Sequence, residues 1–423
     1  MSMLTLPLVL LVSSTTAMAE DATVTPHLFV HLRPEARVNP SFVAGQDDAF
    51  VAVQQGLRVG VSGASGRLSG RVDVQEVRAW GARSGSTGAE PAVHAYQGYM
   101  DVDTGSGFVR FGRQEFHFHN GFFLSRAPFN PAGRSFDGVR WHHESDGLDA
   151  DVFVSQLRAS AGWVDGDPPA DVGDWFAGGQ VTYSGNDVVV PSFFVLSKAG
   201  GATEEDPDRS DRWVGPGGRL VVAPADDTEI TVDGMAQVGT VGEIDRRAWQ
   251  VIGRVEQGFG GSLRPGVAAR IDQSSGSACL DAPDTGVCRS DVNRTMDLQF
   301  GRNFYLRGLA NQVAATNSRQ LALETFVRPA DGVRVELIGS WFQLTDPEGP
   351  WVRTGGQLQG TGWKSGNDDP NLGWELDARV NWKVSKQLVI DGGGAWFQPV
   401  GAGAELTGDD GQLYTFIRSR FTL

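Results

Sequence analysis

After the first twenty residues this chain has no stretch of 18 consecutive apolar residues, which excludes a helical membrane span. Cysteine is almost missing: Cys279 and Cys288 are the only two, set in a polar Gly/Ser/Asp loop. Without further Cys or His partners at suitable spacing, two thiols make no metal site of the zinc type. Histidine is scarce as well, 7 in 423 residues. His117 and His119 can share a face but lack a third ligand, and His142 and His143 read as strand-end residues. No G-x-S-x-G or comparable elbow occurs, so nothing points to an enzyme or to a cofactor. Basic surface is also lacking. A net charge of -15 excludes a general nucleic-acid binder, because phosphate contacts need Lys and Arg in excess. The acid is densest at 165–174, 204–211 and 367–369, between the alternating runs, where it reads as a solvated rim without the ordered ligand spacing of a cation site.

What is present begins with an address. Residues 1–19, MSMLTLPLVLLVSSTTAMA, join an apolar run to small residues ending in Ala17-Met18-Ala19. They read as a secretory signal, with the mature chain starting near Glu20, although the n-region has neither Lys nor Arg. Export implies an oxidising compartment, so Cys279 and Cys288 are expected to form a local disulfide.

Glycine is abundant at 56 residues, beside 23 Phe and 12 Trp, and a mean hydropathy of -0.22 would suit a soluble protein. Short alternating runs predict an all-β chain with many turns. Leu57, Val59 and Val61 alternate with Arg58, Gly60 and Ser62, and Val72 and Val74 with Arg71, Asp73 and Gln75. Residues 263–272 alternate throughout, carrying Arg264 and Arg270 on the polar side. Trp374, Leu376, Ala378, Val380 and Trp382 alternate with Glu375, Asp377, Arg379, Asn381 and Lys383, with an aromatic at each end of the apolar face. Many runs reach 10–13 residues, enough for a tilted strand to cross a membrane. One face of these runs holds ions of both signs and the other almost none, as expected for lipid outside and water inside.

Connections alternate between short turns and long loops, the latter including 34–49, 116–134, 159–175, 198–212 and 345–371. That alternation describes a transmembrane antiparallel β-barrel with short periplasmic turns and long extracellular loops. With both termini in the periplasm the strand number is even. A strand near 261–272 running outward and one near 319–328 running inward make 273–318 a single long excursion, giving eighteen strands; sixteen or twenty also fit the run boundaries. The amphipathic C-terminal run from Gln412 to Leu423 resembles the terminal strand by which such barrels are recognised for insertion. The expected partners are therefore outer-membrane lipid, lipopolysaccharide and the barrel-assembly machinery.

Arg110-Phe111-Gly112-Arg113-Gln114-Glu115, followed by Gly133-Arg134-Ser135-Phe136-Asp137-Gly138-Val139-Arg140, resembles the alginate-export family of outer-membrane porins. Its members carry G-R-Q-E, a Gly/aromatic loop, then R-[ST]-F-D-G-[VA]-R. The stretches 304–311, 372–377 and 392–397 look like that family too. Where relatives have a Tyr-Gly-Asp/Asn run and a further Arg, this chain has Phe118-His119-Asn120-Gly121-Phe122. The resemblance implies an eighteen-stranded barrel with an arginine-rich passage for an anionic polysaccharide.

Parity places Arg58, Arg71, Arg110, Arg140, Arg219, Arg254, Arg264, Arg270, Arg334, Arg379, Arg418 and Arg420 on the lumen side. Asp73, Asp101, Glu229, Asp233, Glu256, Glu324, Glu336, Glu375 and Asp377 share that side. Arginine suits a carboxylate passage because it is always charged and binds in two-pronged fashion. A wide barrel also braces its walls with Arg–Asp/Glu pairs, so any one of these is a strut as readily as a ligand. Arg110, Arg113, Arg134 and Arg140 cluster around one hairpin and are expected at the constriction, with Asp137, Asp73, Glu375 and Asp377 as salt-bridge partners. Three functions remain open: a passive channel for anionic solutes or an anionic polysaccharide such as alginate, a weakly selective diffusion porin, and a plugged structural or enzymatic barrel. The loop 116–134 lies outside or folds inward.

Overall fold

A computed structural model describes residues 22–43, 48–81, 92–156, 174–200, 211–280, 288–297, 300–301 and 306–423. Residues 1–19 and most of the acidic runs 165–174 and 204–211 lie outside them. The third acidic run, at 367–369, caps its own turn through Asn367 and Asp369.

The chain forms eighteen strands: β1 (Thr23–Val38), β2 (Phe50–Ser65), β3 (Leu68–Trp80), β4 (Ala92–Asp103), β5 (Gly107–Gln114), β6 (Phe136–Ser145), β7 (Leu148–Gln156), β8 (Trp175–Tyr183), β9 (Val189–Ala199), β10 (Asp211–Ala225), β11 (Thr228–Val241), β12 (Ile244–Gly258), β13 (Gly266–Ser274), β14 (Ser318–Ala330), β15 (Val333–Leu344), β16 (Asn371–Lys383), β17 (Leu388–Pro399) and β18 (Gln412–Thr422), with a short helix α1 (Ala402–Thr407) before the last. Each strand pairs antiparallel with its sequence neighbour, and β1 pairs with β18, so the sheet closes and leaves no unpaired edge. Both ends of the barrel chain sit at the short-turn rim. The turn Asp146-Gly147 shows why it can be so short: φ is 44° and 79° at its two residues, the left-handed pair that suits a two-residue hairpin and that Gly adopts without strain.

Two boundaries differ from those expected from the sequence. β1 continues through Pro34 to Val38: its register with β2 runs unbroken through Pro34, while the ladder to β18 skips Arg33 and Pro34 and resumes in the same register at Glu35, so the missing N–H of proline costs little pairing. β13 starts at Gly266, so Arg264 falls in the preceding turn with φ of 41°. Between β13 and β14 runs the one long excursion expected, and among its described residues Asn293 forms a β-bridge with Arg246 of β12.

The exterior is apolar, with exposed Val, Leu and Ile side chains standing outward along the strands. Outward tryptophans gather toward both rims. Trp80, Trp175, Trp249, Trp341, Trp374 and Trp396 lie toward the long-loop ends, Trp141 and Trp382 toward the short turns, which is the belt pattern of membrane interfaces.

The interior departs from a uniformly wet lumen. Phe153 on β7, Phe176 on β8 and Phe194 and Leu196 on β9 point inward and are buried beneath Phe116, Phe118, Phe122, Phe123 and Leu124 of the β5–β6 loop and Phe300 of the β13–β14 excursion. A second cluster joins Phe42 of the β1–β2 connection, Leu309 and Val313 of the same excursion and Trp351 of the β15–β16 connection to Phe342, Leu372, Phe397, Tyr414 and Phe416 on the opposite wall. The long loops thus fold back into the barrel and build a dry core in its long-loop half. Each fully buried Phe contributes on the order of 1.5–3 kcal/mol to that packing.

Candidate functional site

On the lumen wall the cations and acids pair locally. Arg110 grips Asp101 with two bonds of 2.6 and 2.8 Å while its guanidinium lies 3.6 Å from the Tyr99 ring centre. Arg140 holds Asp151 at 2.6 Å, Arg71 holds Asp73 at 2.8 Å, and Arg219 holds Asp233 at 3.0 Å. Lower on the wall, Arg254, Arg328 and Arg334 surround Glu256 at 2.6, 2.9 and 3.2 Å, and Arg254 and Arg334 also reach Glu324. Arg418 closes on the buried Asp391 at 2.7 Å, with Arg420 at 3.7 Å from the same carboxylate. These pairs form because antiparallel register sets residues of opposite charge side by side on one face. The pairs hold the guanidinium groups in fixed orientations.

Cations outnumber carboxylates around one cavity. A cavity of about 400 Å³ runs from the short-turn rim, at Lys386, Gln387 and Thr422, up to Arg126, Pro128 and Asn130 of the β5–β6 loop. Arg58, Arg71, Arg126, Lys386 and Arg420 line it, against the two carboxylates of Asp73 and Glu115. Arg58 is anchored there between aromatic rings, 3.5 Å from the centre of Tyr96 and 4.6 Å from that of Phe29. Tyr96 in turn donates its hydroxyl to Glu115. The cavity is a positively charged vestibule opening at the short-turn end.

Several expected site residues sit elsewhere. Arg113 shares the face of Val109 and Phe111, and Asp137 that of Val139 and Trp141, whose side chains point out of the barrel. Their two-pronged pair, 2.8 Å on each side, is therefore on the outer wall near the long-loop rim, with Arg113 also bonding the Ala95 carbonyl. Nearness in sequence groups Arg113 with Arg110, whereas a period of two sends it to the opposite face, where it meets Asp137. Arg134 lies in the dry core. It donates to the carbonyls of Ser125 and Phe300 and so ties the two inserted loops together, and burial pulls it down to about 10, which still leaves it charged at neutral pH. Arg264 is at the short-turn rim, 3.0 Å from the exposed Asp331.

Arg270 is on the lumen face, half-buried and bonded to Gln320 at 2.9 Å. Arg379 lies buried near Asp377 and Glu336, at 3.6 and 3.9 Å. Glu375 is no arginine's strut. It is 1% exposed and accepts the main-chain N–H of Ala310 at 2.9 Å, while Asp377 takes the N–H of Leu309 as well as neighbouring Arg379. Gly308 permits this approach: its φ is 94°, and a Cβ there would stand 2.4 Å from the Glu375 carboxylate.

Cys279 and Cys288 are joined as a disulfide. Among the described residues, His142, Asp149 and Asp151 offer ligand atoms within 4.8 Å of one another. Asp151 is already taken by Arg140 and by His142 at 3.2 Å, an arrangement that neutralises the carboxylate a cation would need.

Sequence reading missed Arg33, Arg37 and Glu35, which face the lumen from β1, and Arg126 and Lys386, which come from a loop and a turn. The alternation of His31, Arg33, Glu35 and Arg37 with Leu32, Pro34, Ala36 and Val38 was a usable signal, masked by Pro34. The inward phenylalanines also left a trace: Val152-Phe153-Val154 and Phe193-Phe194-Val195-Leu196 are continuous apolar runs, the mark of a strand buried on both faces.

The β5–β6 loop carries a titratable group in its dry part. His119 packs beside Phe194, and its Nε2 is buried without a hydrogen bond. Burial, with added repulsion from Arg219 and His117, holds its imidazole down at about 4 against an ordinary 6.5. A released loop takes up the proton first, so docking is at full strength above pH 6.5 and weakens as the pH falls toward 4, by on the order of 3 kcal/mol. Protease cleavage within 115–135, followed between pH 7 and 4, should accelerate on acidification, and His119→Leu should abolish that dependence.

A closed eighteen-stranded barrel with an apolar, tryptophan-belted exterior and an ion-paired lumen defines an outer-membrane channel of the porin type. The chain belongs to the alginate export family, whose model matches residues 48–411. Among solved structures it is similar to Acinetobacter baumannii OccAB1, at 12% identity over 96% of this chain and 97% of that one, with a TM-score of 0.64. Pseudomonas aeruginosa OccK5 (OpdH) gives 12% identity over 95% and 98% with a TM-score of 0.61, and P. aeruginosa OpdK with vanillate 12% over 94% and 98% with 0.58. These likenesses concern the fold. No curated protein matches the chain.

Proposed function

We propose that this outer-membrane channel passes anionic solutes, an anionic polysaccharide such as alginate among them, by passive movement without chemistry or cofactor. The vestibule carries the reading: five cationic side chains face two carboxylates in a cavity of about 400 Å³. A surplus of fixed positive charge in a narrow, low-dielectric passage raises the local concentration of anions and repels cations. Residues 1–19 direct export, and β18 is the strand presented to the assembly machinery, with lipopolysaccharide around the long-loop rim.

The test is a reversal potential in asymmetric KCl across a planar bilayer. Chloride preference is expected, falling by roughly a factor of two for each charge removed in Arg71→Gln and Arg420→Gln, the effect of a unit charge acting over about 10 Å of water. Preference for potassium in the unaltered channel would overturn the reading. The local pairing of nearly every other lumen arginine favours a second reading, a weakly selective diffusion porin, for which the potential would sit near zero and polymannuronate and neutral dextran of equal size would block alike.

A further inference from the structure

The β5–β6 loop touches the lumen wall through its main chain at one stretch. Arg418 of β18 donates to the carbonyl of Pro128 at 3.1 Å, Arg33 of β1 to that of Phe129, Arg58 of β2 to that of Pro131 at 3.4 Å, and Gln75 of β3 to that of Ala132 at 2.8 Å. The Phe129 ring is held between Arg33 and Arg418, 3.9 and 4.8 Å from the two guanidinium carbons. From Ala127 to Gly133 the loop has no ionisable side chain, so three lumen arginines meet only neutral oxygens there. Pro128 and Asn130 of the same stretch form the inner end of the vestibule.

We propose that residues 128–132 are a built-in stand-in for the anionic ligand, and that carboxylates entering the vestibule displace them and lift the loop from the wall. The inference rests on the anion-channel reading and adds its regulation.

The chemistry favours exchange. A guanidinium binds a carboxylate through charge-assisted bonds roughly twice as strong as those to a neutral carbonyl, and often two at a time. The arginines need no rearrangement to receive it. Arg418 is also held by Asp391 at 2.7 Å, Arg33 by Glu35 at 3.1 Å, and Arg58 lies over Tyr96 at 3.5 Å, so their forks stay in place when the loop leaves. The stretch is bracketed by Ala127 and Gly133, with φ of 51° and 62°. These two left-handed residues can absorb a swing of the segment between them. Beneath it lie His31, 1% exposed with neither ring nitrogen bonded, and Gly56, where a Cβ would stand 2.8 Å from the Pro131 carbonyl. Such close contact leaves no room for solute unless the stretch moves.

The native cysteines are joined to each other, so a thiol introduced under the stretch is the only free one. In full-length protein reconstituted in vesicles, Pro131→Cys should react slowly with a small neutral maleimide. Polymannuronate should raise the rate at least about tenfold, while dextran of equal size leaves it unchanged. Adding Arg33→Gln to Pro131→Cys should make labelling fast without polymer, and Ala132→Cys offers a second position if the first variant assembles poorly. An anion-selective channel in which polymannuronate leaves the labelling rate unchanged, or slows it, would overturn the latch while the anion-channel reading stands. A cation-selective channel with no response to polymannuronate would remove both.

Discussion

Arg307→Ala should free the later part of the β13–β14 excursion from the barrel and leave a more conductive channel. The Arg307 guanidinium is 1% exposed and bonds Asp272 of β13, itself fully buried, at 2.9 Å, with a further bond of 2.7 Å to the Ser318 hydroxyl. Removing one partner of such a pair leaves an uncompensated charge out of water, a loss of about 3–5 kcal/mol. Of the excursion's other anchors, the N–H groups of Leu309 and Ala310 on Asp377 and Glu375 follow Arg307 by only a few residues and share its fate, while Asp297, held by Lys198, Trp213 and Gln237, keeps the earlier part docked, so the part released is the one around 306–317. Increased single-channel conductance and faster proteolysis between 306 and 317 are the readouts. Arg307→Met combined with Asp272→Asn, which removes both charges, should restore most of the docking. Unchanged conductance and proteolysis in Arg307→Ala would show that the ion pair does not hold the excursion.

Phe176→Ala should cost a similar amount by a different route. Phe176 is fully buried where the β5–β6 loop and the excursion meet the wall, with ring centres of Phe300, Phe153 and Phe136 at 4.3, 5.5 and 5.9 Å. Truncating a Phe in a packed core costs about 3–5 kcal/mol through lost burial and the cavity left behind. The ladders from β8 to β7 and β9 use main-chain atoms and are untouched, so the barrel should keep its folded mobility in unheated detergent gels. The loops should melt at lower temperature and become protease-sensitive. Val154→Ala, on the outward face of β7, is the control, since its neighbours are lipid and no loop rests on it. If Phe176→Ala lowers the stability of the whole barrel but not of the loops, the lumen cluster is a wall element and not a loop anchor.

How much of this was legible in sequence follows from the range of each interaction. The strand number, the closed barrel and the alternation of short turns with long loops came from local patterns, because a period of two and a turn residue act over a few positions. The same parity assigned Arg110 and Arg140 to the wet face, where both are found in ion pairs with Asp101 and Asp151. It failed where proximity in sequence replaced it. Arg113 was grouped with Arg110, although three positions along a strand bring a side chain to the opposite face. Charge alone matches Glu375 to an arginine, whereas the wall delivers it to the amide of Ala310 more than sixty residues upstream, and Asp377, which does meet Arg379, also receives the amide of Leu309.

The amino-acid sequence by itself thus determined the class of fold, the membrane face of each strand, the disulfide and the family, all of which rest on neighbours along the chain. Only the tertiary structure decided that long loops turn inward, that they build two apolar clusters against the lumen wall, and that five cationic side chains meet around one vestibule. These depend on which walls face each other once the barrel has closed, and contacts such as Arg37 to Ala310, 273 residues apart, have no signature in either local pattern.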